Sequence, residues 1–195
     1  MWMEASVPLN FRATFLRRAT ATTSLETTLK KAVSVLAEWG IPHYVCGGFA
    51  VQEHGYPRLT IDVDVIVPDP GHAMWRLRQS GLFRKNQGSG MTVTDRETKV
   101  PIDLLKGGST VSKGGLVALP MPIKVSAVPV FLTLADLLSA KLSAGRQQDL
   151  ADVVELIKAN NLSKGYKVDS AVLSDYRRAW DLAKKELRKS THLGE

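Results

Sequence analysis

The sequence predicts an α+β domain: a small mixed β-sheet flanked by helices, with a helical C-terminal part. Three observations lead there. Short strand-like runs alternate with helical periodicity between residues 23 and 128. Beyond Pro129 the strand signals stop and only helical spacing remains. The 195 residues, 44% hydrophobic and 23% charged, suit one globular domain that buries a core without staples. The chain accordingly divides into a basic leader over 1–22, expected to be irregular, a sheet-bearing core over 23–128 and helices over 129–195.

The first helix is expected to start near Thr23, where Thr23 and Glu26 match a capping box. Leu25, Leu29, Ala32, Val33 and Leu36 follow at helical spacing, and Gly40 with Pro42 ends the run. A short strand, His43 to Cys46, leads into Gly47-Gly48 and a short helix from Phe49 to His54. Leu59 to Val67 alternates strictly, which predicts a strand. Arg58, Thr60, Asp62 and Asp64 take one side, and Leu59, Ile61, Val63 and Val65 the other. A helix from His72 to Gln79 comes next, then strands Met91–Asp95 and Val100–Leu105 around an Arg96-Glu97-Thr98 turn. Residues 106–122, rich in Gly, Ser and Pro, predict a flexible loop or hairpin, and Ile123–Val128 a last strand. Helices Leu134–Ala144 and Gln147–Ala159, hinged at Gly145, and a third from Ser170 to about Arg188 complete the chain.

Charge narrows the partners. Lys and Arg number 26 against 19 Asp and Glu, a net +7 concentrated toward the two ends. Such an excess favours nucleotides or nucleic acids, although a solvated basic surface has the same composition. A single cysteine, Cys46, rules out an intrachain disulfide and fits a reducing compartment. With no apolar run long enough to span a bilayer, the cytoplasm is the expected location. The acid-poor, Arg- and Ser/Thr-rich opening also matches an organelle transit peptide. Zinc-protease, serine-hydrolase and Walker signatures are missing from the sequence, and one Cys with four scattered His argues against zinc.

The chemistry concentrates in three carboxylates. On a strand, Asp62 and Asp64 share a face with α-carbons about 6.5–7 Å apart. Two like charges so placed repel, and a divalent cation between them removes the conflict. Hard oxygen ligands suit Mg²⁺ or Mn²⁺. Asp103, in V-P-I-D-L-L, stands among apolar neighbours on a later strand. If that strand pairs beside Asp62 and Asp64, three carboxylates converge on a site for in-line phosphoryl displacement. A D-x-D pair also occurs as a solvated edge, an ion-pair partner or a calcium site, and the residues alone admit those readings.

Gly47-Gly48 lies between a strand and a helix, where glycine lets a backbone approach a ligand and helix N–H groups face phosphate. The full run is G-G-F-A-V-Q-E-H-G-Y-P-R-L-T-I-D-V-D-V-I-V from Gly47 to Val67. With Asp103 and the stretch Asp136 to Asp152, containing K-x-x-x-x-R-x-x-D-x-x-D, it resembles the nucleotidyltransferase fold of the DNA polymerase beta superfamily. Within that superfamily it is most similar to small bacterial proteins grouped with AbiEii-type toxins of toxin–antitoxin systems. The match covers residues 40–158.

The resemblance implies metal–NTP chemistry and roles for the matched residues. Gly47 and Gly48 would cradle phosphates, Asp62 and Asp64 would hold metal, and Asp103 would complete the site as ligand or general base. Lys141 would reach the phosphates from the helical part, supported by Arg146 and Asp149. Arg58 and Thr60 would border the nucleotide. Each has an ordinary alternative: a solvated lysine at 141, an Arg146–Asp149 helix pair, a carboxylate partner for Arg58, strand preference for Thr60 and local packing for His54. One position departs from the pattern, since active members often carry Ser where this chain has Gly48. The expected reaction moves a nucleoside monophosphate from NTP–Mg²⁺ to a hydroxyl, with RNA such as a tRNA end as first acceptor and protein as second. A toxin role would add a cognate antitoxin as partner. The rival expectation is a non-catalytic module of the same fold acting in a complex.

Overall fold

A computed structural model describes the backbone of residues 9–88 and 90–192, and the side chains of 24–88 and 90–189. Its elements run α1 (Leu9–Glu38), β1 (Tyr44–Cys46), α2 (Gly47–Glu53), β2 (Val63–Val67), α3 (Pro70–Gln79), β3 (Phe83–Lys85), β4 (Thr92–Asp95) and β5 (Pro101–Lys106). After a long loop come α4 (Leu134–Ala144), α5 (Gln147–Ala159), a 3-10 turn at Ser170–Val172 and α6 (Leu173–His192). The strands form one mixed sheet ordered β1-β2-β5-β4-β3, with β2 and β5 parallel and the other pairs antiparallel. The α+β class is thus as predicted.

Each face of the sheet has its own core. On one, Val63, Val65 and Ile102 pack against Leu29, Val33 and Leu36 of α1 and Leu77 of α3. On the other, Cys46 and Ile66 pack against Leu137 and Leu138 of α4, Val153 and Ile157 of α5, and Tyr176 of α6. The C-terminal helices therefore sit directly over the face that carries Asp64. Arg76 of α3 lies 3.6 Å from the Trp39 ring centre and 4.2 Å from that of Trp75, clamping the end of α1 onto α3. Among the described residues, no helix is long and apolar enough to cross a membrane.

Several expectations are corrected. The first helix begins at Leu9 rather than Thr23, so the leader is helical from that point and Thr23 is an interior position, not a cap. No glycine or proline lies between Pro8 and Gly40 to interrupt it. The first eight residues lie outside the described part. Residues Leu59 to Asp62 are not strand; β2 starts at Val63, and Leu59 and Ile61 are 70% and 75% exposed. Their alternation reflects an extended loop whose polar side turns inward, not a strand lodged in the core.

The strand expected at Ile123–Val128 is missing, and Ile123 is 83% exposed. Pro122 and Pro129 bracket that stretch, and its backbone link to the β1 side is His43 N donating to Lys124 O at 3.3 Å. Its place beside β1 is taken by Val130–Leu132, where Val45 N donates to Val130 O (2.8 Å) and Leu132 N to Val45 O (2.9 Å). Strand β3 was hidden because Phe-Arg-Lys carries one buried residue, Phe83, and two exposed cations. Nor is the 106–122 loop a free surface segment. Leu119 is buried, and Ser143 Oγ of α4 accepts hydrogen bonds from Leu116 N (2.8 Å) and Val117 N (2.9 Å).

Asp95, 1% exposed, fastens the β4–β5 hairpin to α1. Its carboxylate accepts from Thr28 Oγ1 (3.1 Å), Lys31 Nζ (3.1 Å) and the backbone N–H groups of Glu97 (2.8 Å) and Thr98 (3.4 Å). Burial opposes its charge, but the backbone N–H of Glu97, Lys31 and Thr28 together hold its pKa below the usual carboxylate value. A depressed folded pKa gives stability that is present above the unfolded value and lost as pH falls through the folded one. Asp95→Ala is expected to cost about 2–4 kcal/mol in urea unfolding at pH 7, with the gap narrowing in acid. A loss under 1 kcal/mol would mean that the hairpin is held by packing alone.

Candidate active site

The site is built around the end of β1. Gly47 opens α2 with φ +63°, a conformation glycine adopts without strain. A Cβ at Gly47 would lie 1.7 Å from Asp64 Oδ2, so the carboxylate rests directly against the turn. Across the sheet, Cys46, Asp64, Asp103 and Thr92 stand in register on β1, β2, β5 and β4. Parallel pairing of β2 with β5 therefore puts Asp103 beside Asp64, one strand spacing of about 4.8 Å away. Asp62 approaches from the loop before β2, its Oδ1 accepting from Thr60 Oγ1 at 2.8 Å. Asp103 Oδ1 accepts from Thr92 Oγ1 at 2.5 Å.

This crowding perturbs Asp64. Burial first, then the charges of Asp62 and Asp103, push its pKa up to about 6, only partly countered by Lys141 and Arg146. Burial also drives the Cys46 thiol well above its ordinary range, with Asp64 adding to the effect, so this cysteine is no nucleophile.

A second group of charges comes from the helices. Lys141 of α4 is 6% exposed, which excludes the solvated reading. Its Nζ donates to Asp149 Oδ1 (3.0 Å) and Asp152 Oδ2 (2.6 Å) of α5. Arg146 Nε donates to Asp149 Oδ2 at 2.6 Å, the helix pair anticipated from their spacing. Burial works against the charge of Asp149, yet Arg146 and Lys141 hold its pKa below normal. Gly145, at φ 68°, ends α4 in the left-handed region and turns the chain so that α5 presents Asp149 and Asp152 to Lys141.

Arg58 joins this group from the other side. Its Nε lies 3.1 Å from Asp152 Oδ1, although the N–H does not line up on that oxygen. Its Nη1 donates to Leu59 O at 3.0 Å. The space a side chain at Gly48 would occupy is already filled, with Thr60 Oγ1 2.6 Å and Arg58 Nη2 2.7 Å from a Cβ built there. Glycine at 48 thus goes with the position of Thr60 and Arg58. His54 packs locally: its Nε2 is 2.7 Å from Leu132 O, tying α2 to the approach of α4.

Gly47, Asp64, Lys141, Arg146 and Asp149 line one cleft, floored by Cys46 and by apolar residues of β5, the loop after it and α4. Gly48, Arg58, Thr60, Asp62 and Asp103 are outside that lining, around the turn and farther along the sheet face. Among the described residues, no trio of Asp, Glu, His or Cys side chains is closed up around a point where a cation would sit. Asp62 turns to Thr60 and Asp103 to Thr92, while Asp64 faces Gly47. Asp152 closes the K-x-x-x-x-R-x-x-D-x-x-D stretch noted in the sequence, but no role was read for it there. Its signal was the i, i+3 spacing from Asp149, which puts both carboxylates on one side of a helix.

No protein-family profile matches the chain, and no curated protein matches it. Among solved structures, the chain is similar to a solution structure of the antibiotic-resistance factor ANT(2'')-Ia, at 12% identity and TM-score 0.41, covering 87% of this chain and 96% of that one. A crystal structure of ANT(2'')-Ia in complex with adenylyl-2''-tobramycin is similar at 14% identity and TM-score 0.38, covering 83% and 88%. Likenesses this remote decide neither chemistry nor substrate.

Two measurements probe the geometry. Because Asp64 holds its proton more tightly in the fold than in the unfolded chain, stability is lost as pH rises from about 4 to about 6. In EDTA at pH 7, Asp64→Asn is therefore expected to be more stable than the parent by on the order of 1–2 kcal/mol, the two converging near pH 4. Equal or lower stability at pH 7 would refute the crowding. Gly48→Ser must displace Thr60 and Arg58 and is expected to lower stability by about 1–3 kcal/mol in urea unfolding. Parent-like unfolding would show that the space is open.

Proposed function

We propose that the protein is a metal-dependent nucleotidyltransferase that transfers a nucleoside monophosphate from an NTP to a hydroxyl, releasing pyrophosphate. The observation that carries this reading is the row in which the Gly47 turn, Asp64 and Asp103 lie side by side. It unites a phosphate-approachable backbone with adjacent hard-oxygen ligands, and the motif resemblance over residues 40–158 points the same way.

The donor set fits a divalent cation. Asp62, Asp64 and Asp103 are oxygen ligands of the kind Mg²⁺ or Mn²⁺ takes, and the burial that raises the pKa of Asp64, with the charges of Asp62 and Asp103 adding to it, makes a conflict that a cation relieves. Asp62 and Asp64 would hold it and Asp103 would complete the set, Asp62 and Asp103 turning from their present hydroxyl partners Thr60 and Thr92. When bound, the ion supplies charge stabilisation at the reacting phosphate and lowers the pKa of the attacking hydroxyl. Asp103, on the central strand beside Asp64, takes the proton of that hydroxyl or orients it. The Gly47–Gly48 backbone closes on the phosphates. Lys141 has three N–H donors; two serve Asp149 and Asp152, and the third serves a phosphate oxygen in the cleft. Arg146, mostly exposed at the cleft rim, adds a second cation and is itself oriented by Asp149. Arg58 and Thr60 border the turn. The net charge of +7 favours RNA, such as a tRNA end, over a protein side chain as acceptor, and a toxin role with a cognate antitoxin is consistent with the family resemblance.

A second reading, a non-catalytic module of this fold acting in a complex, is favoured by the filled space at Gly48 and by carboxylates not drawn into a ligand set. Incubation with each α-³²P-labelled NTP, Mg²⁺ and total RNA separates the two. Label is expected in RNA with the parent protein and to fall at least a hundredfold with Asp62→Ala. Label in protein instead would reassign the acceptor. Neither transfer nor Mg²⁺-dependent nucleotide binding would leave the module reading in possession.

A further inference from the structure

Within the nucleotidyl-transfer reading, on which the inference rests, we propose that Asp152 is a positioning residue that sets Arg58 and Lys141 around the glycine turn. Asp152 is fully buried, so it cannot touch a nucleotide itself. Its two oxygens face opposite parts of the chain. Oδ2 accepts from Lys141 on α4 at 2.6 Å. Oδ1 accepts from Gln148 Nε2 at 3.1 Å and lies 3.1 Å from Arg58 Nε.

Arg58 belongs to the loop that also carries Thr60 and Asp62, and its Nη2 stands over Gly48. Gln52 of α2 secures the same loop, donating to Arg58 O at 2.5 Å. One carboxylate therefore joins the phosphate turn, the loop leading to the metal ligands and the helix carrying the cleft lysine.

The charge count supports the same role. Lys141, Arg146 and Arg58 share two carboxylates, Asp149 and Asp152, with Asp64 against the turn as a third negative charge nearby, so the place of each cation depends on a shared partner. Asp149 already serves Arg146 and Lys141 at the cleft rim. Asp152 is the partner that reaches Arg58. Without it, Arg58 retains only its Leu59 carbonyl contact, and its guanidinium has no reason to stay over Gly48. Lys141 would keep Asp149 and swing toward it. Both cations would remain in the protein, yet neither would be aimed where a triphosphate lies.

The test measures Mg²⁺-dependent binding of ATP, GTP, CTP and UTP and steady-state transfer for the parent, Asp152→Asn, Arg58→Gln and the double variant. Asp152→Asn is expected to weaken NTP binding and raise KM about tenfold, while kcat changes less than threefold. In the double variant the loss should fall short of the product of the single losses by at least threefold, since both act through one guanidinium. Lys158→Met, which removes the Glu155 and Glu186 pairs on the same helix away from the site, is the control. It should lower Tm and leave KM unchanged, separating positioning from mere stability. Should Asp152→Asn not fold, Arg58→Lys serves instead, because it keeps the charge and loses the fork; it should weaken NTP binding at least fivefold. Parent-like KM in Asp152→Asn, strictly multiplicative losses, or parent-like binding by Arg58→Lys would overturn the proposal. A parent protein that binds no NTP would sink the transferase reading and this inference with it. Parent binding with an unchanged Asp152→Asn would sink this inference alone.

Discussion

The contact between the Asp64 carboxylate and the backbone of Gly47 governs the arrangement of the site. The distance leaves no room for a β-carbon, so the turn after β1 can exist in this form only with glycine. That turn, in its left-handed conformation, starts α2 directly at the end of the strand and carries the chain back over the sheet edge. Antiparallel pairing of β1 with β2 brings Asp64 to the turn, and parallel pairing of β2 with β5 brings Asp103 to Asp64. Three acidic groups are consequently held near one another by backbone geometry rather than by attraction between them. The raised pKa of Asp64 records the resulting tension. A fold that keeps such a group against its own electrostatics gives up stability at that point in return for a place where a positive ion is welcome.

The opposing charge comes from the helices on the same side of the sheet. α4 and α5 form a tight pair bent at Gly145, with a lysine from one facing two aspartates of the other. Here each buried charge has an opposite charge as its hydrogen-bond partner, whereas Asp62 and Asp103 on the sheet side have only hydroxyls. The cleft lies between these two regimes. The face of the sheet toward α1 and α3 is entirely apolar packing apart from the Asp95 anchor, and contributes rigidity rather than chemistry.

Much of this was legible in the sequence where local rules and tertiary packing agree. The helices α4 and α5 fall at their expected bounds because apolar spacing and a glycine stop coincide. The core residues of α1 were readable from period alone. Alternation misled at Leu59 and Ile61, because a loop whose polar side faces inward has the same period as a strand. β3 was invisible because a three-residue edge strand has too little pattern to register. The carboxylates Asp62, Asp64 and Asp103 stood out by type and spacing, and their nearness required only that two strands pair. The burial of Lys141 did not stand out, since nothing in one sequence tells which helical lysine finds two aspartates eight and eleven residues on. Nor did the filled space at Gly48, which depends on where Arg58 and Thr60 come to rest.

The parallel pairing of β2 and β5 also has a kinetic side. The antiparallel β4–β5 pair meets through a short turn, but between β2 and β5 lie the whole of α3 and the β3–β4 hairpin. Closing the central strand pair therefore carries the loop-closure entropy of that whole span, a cost met before its contacts give any reward. The charged helices that complete the cleft are later still in the chain. Asp103 comes beside Asp64 only through the β2–β5 pairing, so the repulsion between them opposes this long-range contact and no local one.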